Sequence, residues 1–151
     1  MIEDFQRLAL ASTQYFTQLN SSQGEPALRD CPPFRRIDSM KVTNFKSFRG
    51  EVYVGPFLDN TCIIGPNGSG KSNTLEALLF CFCTQSAANY FDTREVMFRE
   101  NRETFKQLAQ QDYYCEVEVI MVAENGRKVS LRRRLSATSE ETFFIDGQKY
   151  D

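Results

Sequence analysis

Residues 62–72 read Cys-Ile-Ile-Gly-Pro-Asn-Gly-Ser-Gly-Lys-Ser, and this stretch decides the fold. From Gly65 to Ser72 it satisfies the pattern G-x-x-x-x-G-K-[ST], a loop whose backbone N–H groups surround phosphate. The three apolar residues before the loop predict a strand that is buried on both faces. After the loop, apolar residues recur at the spacing of one helix face, at Leu75, Leu78, Leu79 and Phe82. The sequence therefore predicts a phosphate-binding loop between a buried strand and a helix.

The residue types in this loop fit the binding of ATP with Mg²⁺. Lys71 would bring a positive charge to the β- and γ-phosphates, and the Ser72 hydroxyl would be a ligand of Mg²⁺. Glycines let consecutive backbone amides point inward at one phosphate without obstruction by side chains. The residues that would supply these amides are Asn67, Gly68, Ser69 and Gly70.

Hydrolysis of ATP requires more than a phosphate-binding loop. It also needs a carboxylate on the metal and a group that orients the attacking water. The candidate carboxylates are Asp92, Glu95, Glu116 and Glu118. None of them follows an apolar strand as a metal-binding aspartate would, and the last two alternate with apolar residues as on a solvated strand face. No catalytic residue is therefore identifiable in the chain.

The chain divides into an N-terminal extension with a linker, residues 1–36, and one domain, residues 37–151. Spaced apolar residues from Phe5 to Leu19 predict a short helix, and the polar stretch 20–26 and Pro32-Pro33 interrupt it. From Ile37 the pattern changes to short strands, first around 40–45 and then at 51–54. We expect the extension to be dispensable for the fold.

The second half of the domain has the pattern of β-hairpins. Apolar and polar residues alternate over 115–121 and again over 129–135, and Asn125-Gly126 between them predicts a two-residue type I′ turn. Asp146-Gly147 predicts a second hairpin. Before the hairpins, residues 84–111 predict a loop with a short helix at about 104–110.

Composition excludes several classes of function. The chain has 151 residues, of which 41% are apolar, and this is enough for one modest core. A formal charge of −2 argues against coating of nucleic acid by charge alone. No apolar run reaches the length of a membrane span, and the N-terminus lacks the order of a secretory signal, so we expect an intracellular protein without a membrane partner. Five cysteines and no histidine favour buried thiols over a zinc site.

Three segments together resemble the N-terminal head of structural maintenance of chromosomes (SMC) proteins. These are Val42-Thr43-Asn44-Phe45-Lys46-Ser47-Phe48, then Gly55-Pro56-Phe57, and then residues 62–73. The resemblance covers about residues 36–151 and is closest to the condensin and cohesin ATPases, with Leu78-Leu79-Phe80-Cys81-Phe82 leaning toward the larger-numbered condensin subunit. It implies an α/β fold: a P-loop NTPase of the ABC type, present as the N-terminal lobe of an incomplete head, with a layer of antiparallel β-hairpins.

The resemblance also implies site residues. ATP contacts are expected from Lys46 and Ser47 and from the run 67–73, which ends at Asn73. Arg94 is a candidate contact of nucleotide or DNA, with an ordinary surface arginine as the alternative. The chain departs from the family pattern at Cys83, where the family has glycine, and the segment 84–90 matches the family poorly.

The partners implied by the resemblance are a second SMC head, a kleisin subunit, DNA, and the C-terminal half of the same head. The glutamine loop, coiled-coil arm, hinge, signature motif and catalytic carboxylates of the family lie beyond residue 151. The resemblance thus implies an ATPase as part of a longer protein, acting on chromosomes in the nucleus, and a fragment that is inactive alone. Five cations in eight residues of the first hairpin, at 127–128 and 132–134, suggest a DNA contact or, more simply, a solvated strand face.

Three other functions remain open from the sequence alone. An ABC-type ATPase of DNA repair, of the double-strand-break or RecF-like kind, would share the same loop. A small-molecule kinase would also use it, but would continue into parallel strands and an arginine-bearing lid rather than hairpins. A truncated module that binds nucleotide without catalysis is the non-enzymatic alternative.

Overall fold

The computed structural model describes residues 33–82, 96–98 and 105–150. The helix predicted near the N-terminus, Cys83 and Arg94 lie outside these residues. The strands are β1 (Phe34–Phe45), β2 (Phe48–Val54), β3 (Tyr114–Ala123), β4 (Lys128–Ser136), β5 (Glu141–Ile145) and β6 (Gln148–Tyr150), and the helices are α1 (Lys71–Phe82) and α2 (Phe105–Ala109). The six strands form one sheet in the order β2-β1-β3-β4-β5-β6, and every neighbouring pair is antiparallel.

The strand β1 organises the sheet because it pairs with both β2 and β3. Its side chains Met40, Val42 and Phe45 are completely buried, which confirms the predicted strand. Phe45 keeps to the same face as Val42, although it lies three residues later, because a register shift follows Thr43 and Asn44 takes a positive φ of 49°. β1 begins at Phe34, so residues 34–36, which the sequence pattern assigned to the linker, belong to the sheet.

Both predicted hairpins form, and the second has the predicted turn. Asp146 and Gly147 both take positive φ values, 49° and 81°, as a type I′ turn requires. The first turn is longer than predicted, because the Ala123 N–H donates to the Arg127 carbonyl at 2.9 Å and encloses residues 124–126. Of these three residues only Gly126 has a positive φ, 83°, which is the usual geometry of a three-residue hairpin loop that ends in glycine.

The core lies between α1 and one face of the central strands, since α1 contacts β3 and β4. The helix is where the sequence predicts it, but the face that it buries differs from the prediction. Leu78 and Phe82 are buried as predicted, whereas Leu75 and Leu79 are only half-buried. The core side of the helix is completed by Thr74, Ala77, Phe80 and Cys81. The loop of residues 65–70 therefore leads into a helix that is anchored along most of its length. The short helix predicted at about 104–110 is confirmed as α2.

The prediction of a buried strand at residues 62–64 is wrong. These residues form no strand in the structure, and Ile63 and Ile64 are 40% and 87% exposed. A strand buried on both faces needs hydrogen-bonding neighbours and a packed layer on each side. The six-stranded sheet does not include this run, so among the described residues no strand lies beside the apolar residues that precede the loop.

Candidate nucleotide-binding site

The loop from Gly65 to Gly70 is an irregular segment that leads directly into α1 and is exposed up to Ser69. Two of its glycines have a conformation that side chains disfavour, with φ of 82° at Gly68 and 90° at Gly70. Gly70 also accepts the first helical hydrogen bond, from the Thr74 N–H at 2.9 Å. The amides that precede this bond in the first turn of α1 have no partner within the helix, and the helix dipole favours an anion at this end.

The side chain of Lys71 contacts the start of the loop. Its Nζ donates to the carbonyl oxygens of Gly65 and Pro66, each at 2.7 Å. The ammonium group therefore lies against the loop backbone, where it can reach a phosphate by a change of rotamer. Ser72, the next residue, is exposed in the first turn of α1, so its hydroxyl is accessible to a metal ion at the same helix end.

The turn between β1 and β2 lies against the same end of the helix. The Asn73 side-chain amide donates to the Ser47 hydroxyl at 2.6 Å. A Cβ atom added at Gly70 would stand 3.4 Å from the Ser47 hydroxyl, so the loop and the turn touch. Lys46 forms an ion pair with Glu76, one turn further along α1. The structure therefore brings Ser47 against Gly70 and Asn73, and places the adjoining Lys46 beside Glu76 on the same helix.

Backbone hydrogen bonds hold this turn in place. The Lys46 N–H donates to the Val96 carbonyl at 2.7 Å, and the Phe98 N–H donates to the Asn44 carbonyl at 2.8 Å. The Asn44 side chain accepts from the Gly50 N–H at 2.9 Å across the turn. Asn44 and Lys46 both have a φ of 49°, a conformation that is uncommon outside glycine and that tight turns impose.

Glu76 is the residue near the site that the sequence reasoning missed. It lies three residues after Asn73 and four after Ser72, so helix periodicity alone places it on their side of α1. Its ion-pair partner Lys46 is 30 residues away in the chain, and no spacing rule connects the two. Arg94, the other candidate contact, lies outside the described residues.

The carboxylates Glu116 and Glu118 do not belong to this site. Glu116 is 5% exposed and lies between Arg132 and Arg134, at 3.7 and 2.6 Å. Glu118 accepts a hydrogen bond from the Ser130 hydroxyl at 2.6 Å. By strand alternation these residues are on the face of the sheet opposite to the side chains that pack against α1. The prediction of a solvated strand face is wrong for Glu116, because the flanking arginines bury its carboxylate, and Glu118 is half-buried.

The basic run of the first hairpin is bound within the protein. Each of its five cations has a carboxylate partner: Arg127 with Asp146, Lys128 with Asp38, Arg132 and Arg134 with Glu116, and Arg133 with Glu141. The Lys128 ammonium, with help from Arg36, holds the pKa of the Asp38 carboxyl below its ordinary value. This compensation favours a structural role for the run over a DNA contact.

The cysteines differ in exposure. Burial raises the pKa of the Cys81 and Cys115 thiols to about 12, as expected for thiols in a core, whereas Cys62 is exposed, contrary to the expectation of buried thiols. Within residues 33–82, 96–98 and 105–150 no three Cys, Asp or Glu side chains converge as metal ligands would. In that same part of the chain, no helix combines the length and apolar character that crossing a bilayer needs.

Comparison with known proteins gives a match over most of the chain. The family described as the RecF/RecN/SMC N-terminal domain matches residues 36–151. Structural maintenance of chromosomes protein 4 of Schizosaccharomyces pombe is 29% identical over 143 residues, which are 89% of this chain and 10% of that protein. Structural maintenance of chromosomes protein 1 of the same organism is 30% identical over 116 residues, which are 74% of this chain and 9% of that protein. The chain thus spans about a tenth of the length of these curated relatives.

Solved structures give the same answer for the fold. The chain is similar to an SMC head bound to the C-terminal winged-helix domain of ScpA, with a TM-score of 0.61 and 25% identity over 78% of this chain and 37% of that one. It is similar also to a structure from work on the ATP-driven dimerization of SMC ATPases, with a TM-score of 0.60 and 24% identity over 78% of this chain and 73% of that one. The fold is therefore that of part of a P-loop ATPase head, as the sequence predicted.

Proposed function

Since the chain belongs to the RecF/RecN/SMC N-terminal domain family, we propose that it is the ATP-binding N-terminal half of the ATPase head of a chromosome-organising SMC protein. The observation that carries the proposal is the loop of residues 65–72, which closes around the Lys71 ammonium at the start of a helix anchored in the core. Such a loop has backbone donors, a positive charge and a helix N-terminus directed at one place, which is what a triphosphate requires.

In the proposed complex, the amides of residues 67–70 surround the β-phosphate and Lys71 leaves the loop carbonyls to contact the β- and γ-phosphates. Lys46, Ser47 and Asn73 approach from the adjoining turn and the first turn of α1. The donor set also fits Mg²⁺: the exposed Ser72 hydroxyl is a neutral oxygen ligand beside the phosphate oxygens, and Mg²⁺ takes few protein ligands when phosphates share it. The ion would neutralise part of the charge on the β- and γ-phosphates.

The exposed apolar run before the loop supports the proposal of a half head. Ile63 and Ile64 have the composition of an inner strand but not the burial of one. We assign the missing neighbours to the C-terminal half of the same head, which would also bring the metal-binding carboxylate and the residue that orients water. The full-length protein would then hydrolyse ATP, and the 151-residue chain would bind ATP without turnover.

The further partners follow from the same assignment. One of the similar solved structures is described as an SMC head bound to ScpA, and another comes from work on the ATP-driven dimerization of SMC ATPases. We propose by analogy that this head engages a second SMC head across ATP and binds a kleisin subunit, with DNA as the substrate and the chromosome in the nucleus as the location. The relatives named as SMC proteins 4 and 1 favour a condensin or cohesin type.

An ABC-type ATPase of DNA repair is the second candidate, because the family description also names RecF and RecN. A globular hinge at the end of a long coiled coil in the complete protein would support the SMC assignment. A short arm or a pair of zinc-binding cysteines in mid-coil would support repair. A small-molecule kinase is disfavoured because the chain continues from α1 into an antiparallel sheet rather than into further parallel strands.

Binding of ATP is tested by titration of the whole chain with a fluorescent ATP analogue. Lys71→Ala should remove most of the affinity and leave the circular dichroism spectrum unchanged, because the bonds that Lys71 makes to Gly65 and Pro66 lie in an exposed loop. Arg35→Ala is a control for the loss of a cation, since Arg35 is an exposed cation near the opposite end of β1 from the loop. Equal affinities of Lys71→Ala and wild type would refute the proposed site.

A further inference from the structure

The ion pair between Lys46 and Glu76 lies beside the proposed phosphate site and is partly shielded from water. The Lys46 side chain is 22% exposed and the Glu76 side chain 35%. Charges at such positions interact more strongly than charges in open solvent, since water screens them only in part. The Glu76 carboxylate therefore offsets part of the charge that Lys46 brings to this end of α1.

Lys71 is in a different situation. Its ammonium contacts two neutral carbonyl oxygens, those of Gly65 and Pro66, and no carboxylate is among these partners. The positive charge of Lys71 is thus fully available to an anion in the loop. Among the described residues, Lys71 thus contacts only neutral groups through its ammonium, whereas the Lys46 ammonium pairs with an acidic residue of the helix that follows the loop.

From this difference we propose that Glu76 is a positioning residue that weakens ATP binding by holding Lys46. The inference rests on the proposed ATP site and adds to it a residue that tunes the affinity of that site. In the pair, the Lys46 ammonium contacts a carboxylate that lies one helical turn beyond Asn73. For Lys46 to contact a phosphate it must leave Glu76, so the triphosphate and the carboxylate compete for one ammonium group.

The location of Lys46 does not depend on Glu76. Its backbone N–H is bonded to Val96 at 2.7 Å, and the neighbouring Ser47 hydroxyl is bonded to Asn73 at 2.6 Å. These bonds keep the turn beside the loop when the carboxylate is removed. A change at position 76 should therefore alter the charge at the site and the direction of one side chain while the fold stays intact.

The size of the effect follows from distance. Glu76 is five residues after Lys71, which is about 7.5 Å along the helix axis. One unit of charge at such a distance, in an environment between protein and water, changes the affinity for a neighbouring phosphate charge by about three- to tenfold. Because ATP carries more charge than ADP, the change should be larger for ATP. In 1 M salt the screening length falls to about 3 Å and the change should shrink to below about twofold.

Four variants of the whole 151-residue chain test the inference by titration with ATP and ADP at low salt. Glu76→Gln should bind ATP about three- to tenfold more tightly than wild type. Lys46→Met should bind it more weakly. The double variant Lys46→Met/Glu76→Gln has the same net charge at these two positions as wild type, so its affinity for ATP should lie within about twofold of the wild-type value. Glu124→Gln, at the exposed hairpin turn at the opposite end of β1, is the charge-matched control and should change nothing.

A purely structural role of Glu76 would give the opposite sign, because damage to the turn can only weaken binding. Glu76→Asp, which keeps the charge, should stay near the wild-type affinity and provides a second test if Glu76→Gln does not fold. Weaker or unchanged binding by folded Glu76→Gln, with the dependence on Lys71 intact, would overturn the inference alone. If Lys71→Ala has no effect in wild type, the proposed ATP site itself fails.

Discussion

Replacement of Arg133 by methionine should destabilise the fold far more than replacement of Arg127, an exposed arginine of the same basic run. Although Arg133 is in the middle of the basic run, it is 3% exposed. Its guanidinium donates to the Phe80 carbonyl at 2.7 Å and to both carboxylate oxygens of Glu141 at 3.0 and 2.9 Å. It also stacks on the rings of Phe80 and Phe143, with centroids at 4.5 and 5.2 Å. This one side chain thus joins the end of α1 to β4 and β5.

The magnitude can be estimated from these contacts. Breaking a buried ion pair by removal of one partner costs about 3–5 kcal/mol, and an unsatisfied buried carbonyl costs about 1–3 kcal/mol. Glu141 is 38% exposed, so water can solvate it after the substitution and the first figure must be reduced. Methionine also keeps part of the apolar packing. We therefore expect a loss of about 2–4 kcal/mol in the free energy of unfolding, which lowers the Tm of a domain of this size by about 5–12 °C.

Urea denaturation of the chain measures this loss, with the slope of the transition as a check that the unfolded states are comparable. Arg127→Met is the matched control. Arg127 pairs with Asp146 at 3.4 Å, but the two side chains are 40% and 35% exposed, so the control should lose less than about 1 kcal/mol. Similar losses in both variants, or a loss below about 1 kcal/mol for Arg133→Met, would refute the reasoning that burial makes Arg133 different from the rest of the run.

Two further predictions concern the edges and the interior of the domain. A chain that begins at Ile37 should melt at a lower temperature than one that begins at Pro33, because the residues between them form the start of β1; equal melting temperatures would place these residues outside the folded domain. The Cys81 thiol, whose pKa burial raises from 9.0 to about 12, should resist alkylation at pH 8 while exposed Cys62 reacts. Rapid modification of Cys81 in the native chain, mapped by mass spectrometry, would contradict its burial. The raised pKa also means that the native state favours the neutral thiol, so the free energy of unfolding should fall as the pH rises from about 9 toward 12.

The hairpins and the helix after the loop were predictable because their local patterns are complete. Alternation over β3 and β4 reports directly which face of each strand is buried, and Asp146-Gly147 has the conformational preference that its turn needs. The longer first turn was not predictable from Asn125-Gly126, since that pair suits a two-residue turn and also the end of a three-residue one. The choice between them depends on the strand register, which involves residues on both strands.

The apolar run before the loop failed as a prediction for a different reason. The apolar composition indicates that Ile63 and Ile64 favour burial, but it does not indicate which part of the protein would cover them. No strand lies beside them among the described residues. For the site, the spacing predicted a loop that leads directly into a helix, and the structure has this arrangement; the binding of phosphate by the loop stays a prediction. The ion pair of Lys46 with Glu76 was not, because it depends on how β1 packs against α1 rather than on any local pattern.

The burial of Arg133 was only partly predictable from the sequence. Alternation in β4 places it on the same face as Leu131 and Leu135, which are buried, while its charge argues for solvent. In the structure three hydrogen bonds, to Phe80 and to Glu141, stabilise the buried guanidinium. Those partners are 53 and 8 residues away, so only the folded chain reveals them.

The most direct test of the central claim, that this chain is one half of an ATPase head, is a steady-state phosphate-release assay with ATP and Mg²⁺. The chain alone should show no turnover above background, because in the proposed function the metal-binding carboxylate and the residue that orients water come from the C-terminal half of the head. Addition of the separately expressed C-terminal half of the head should restore hydrolysis, and Lys71→Ala should abolish it again. Turnover by the chain alone that disappears in Lys71→Ala would contradict the half-head account and would locate the catalytic carboxylates within these 151 residues.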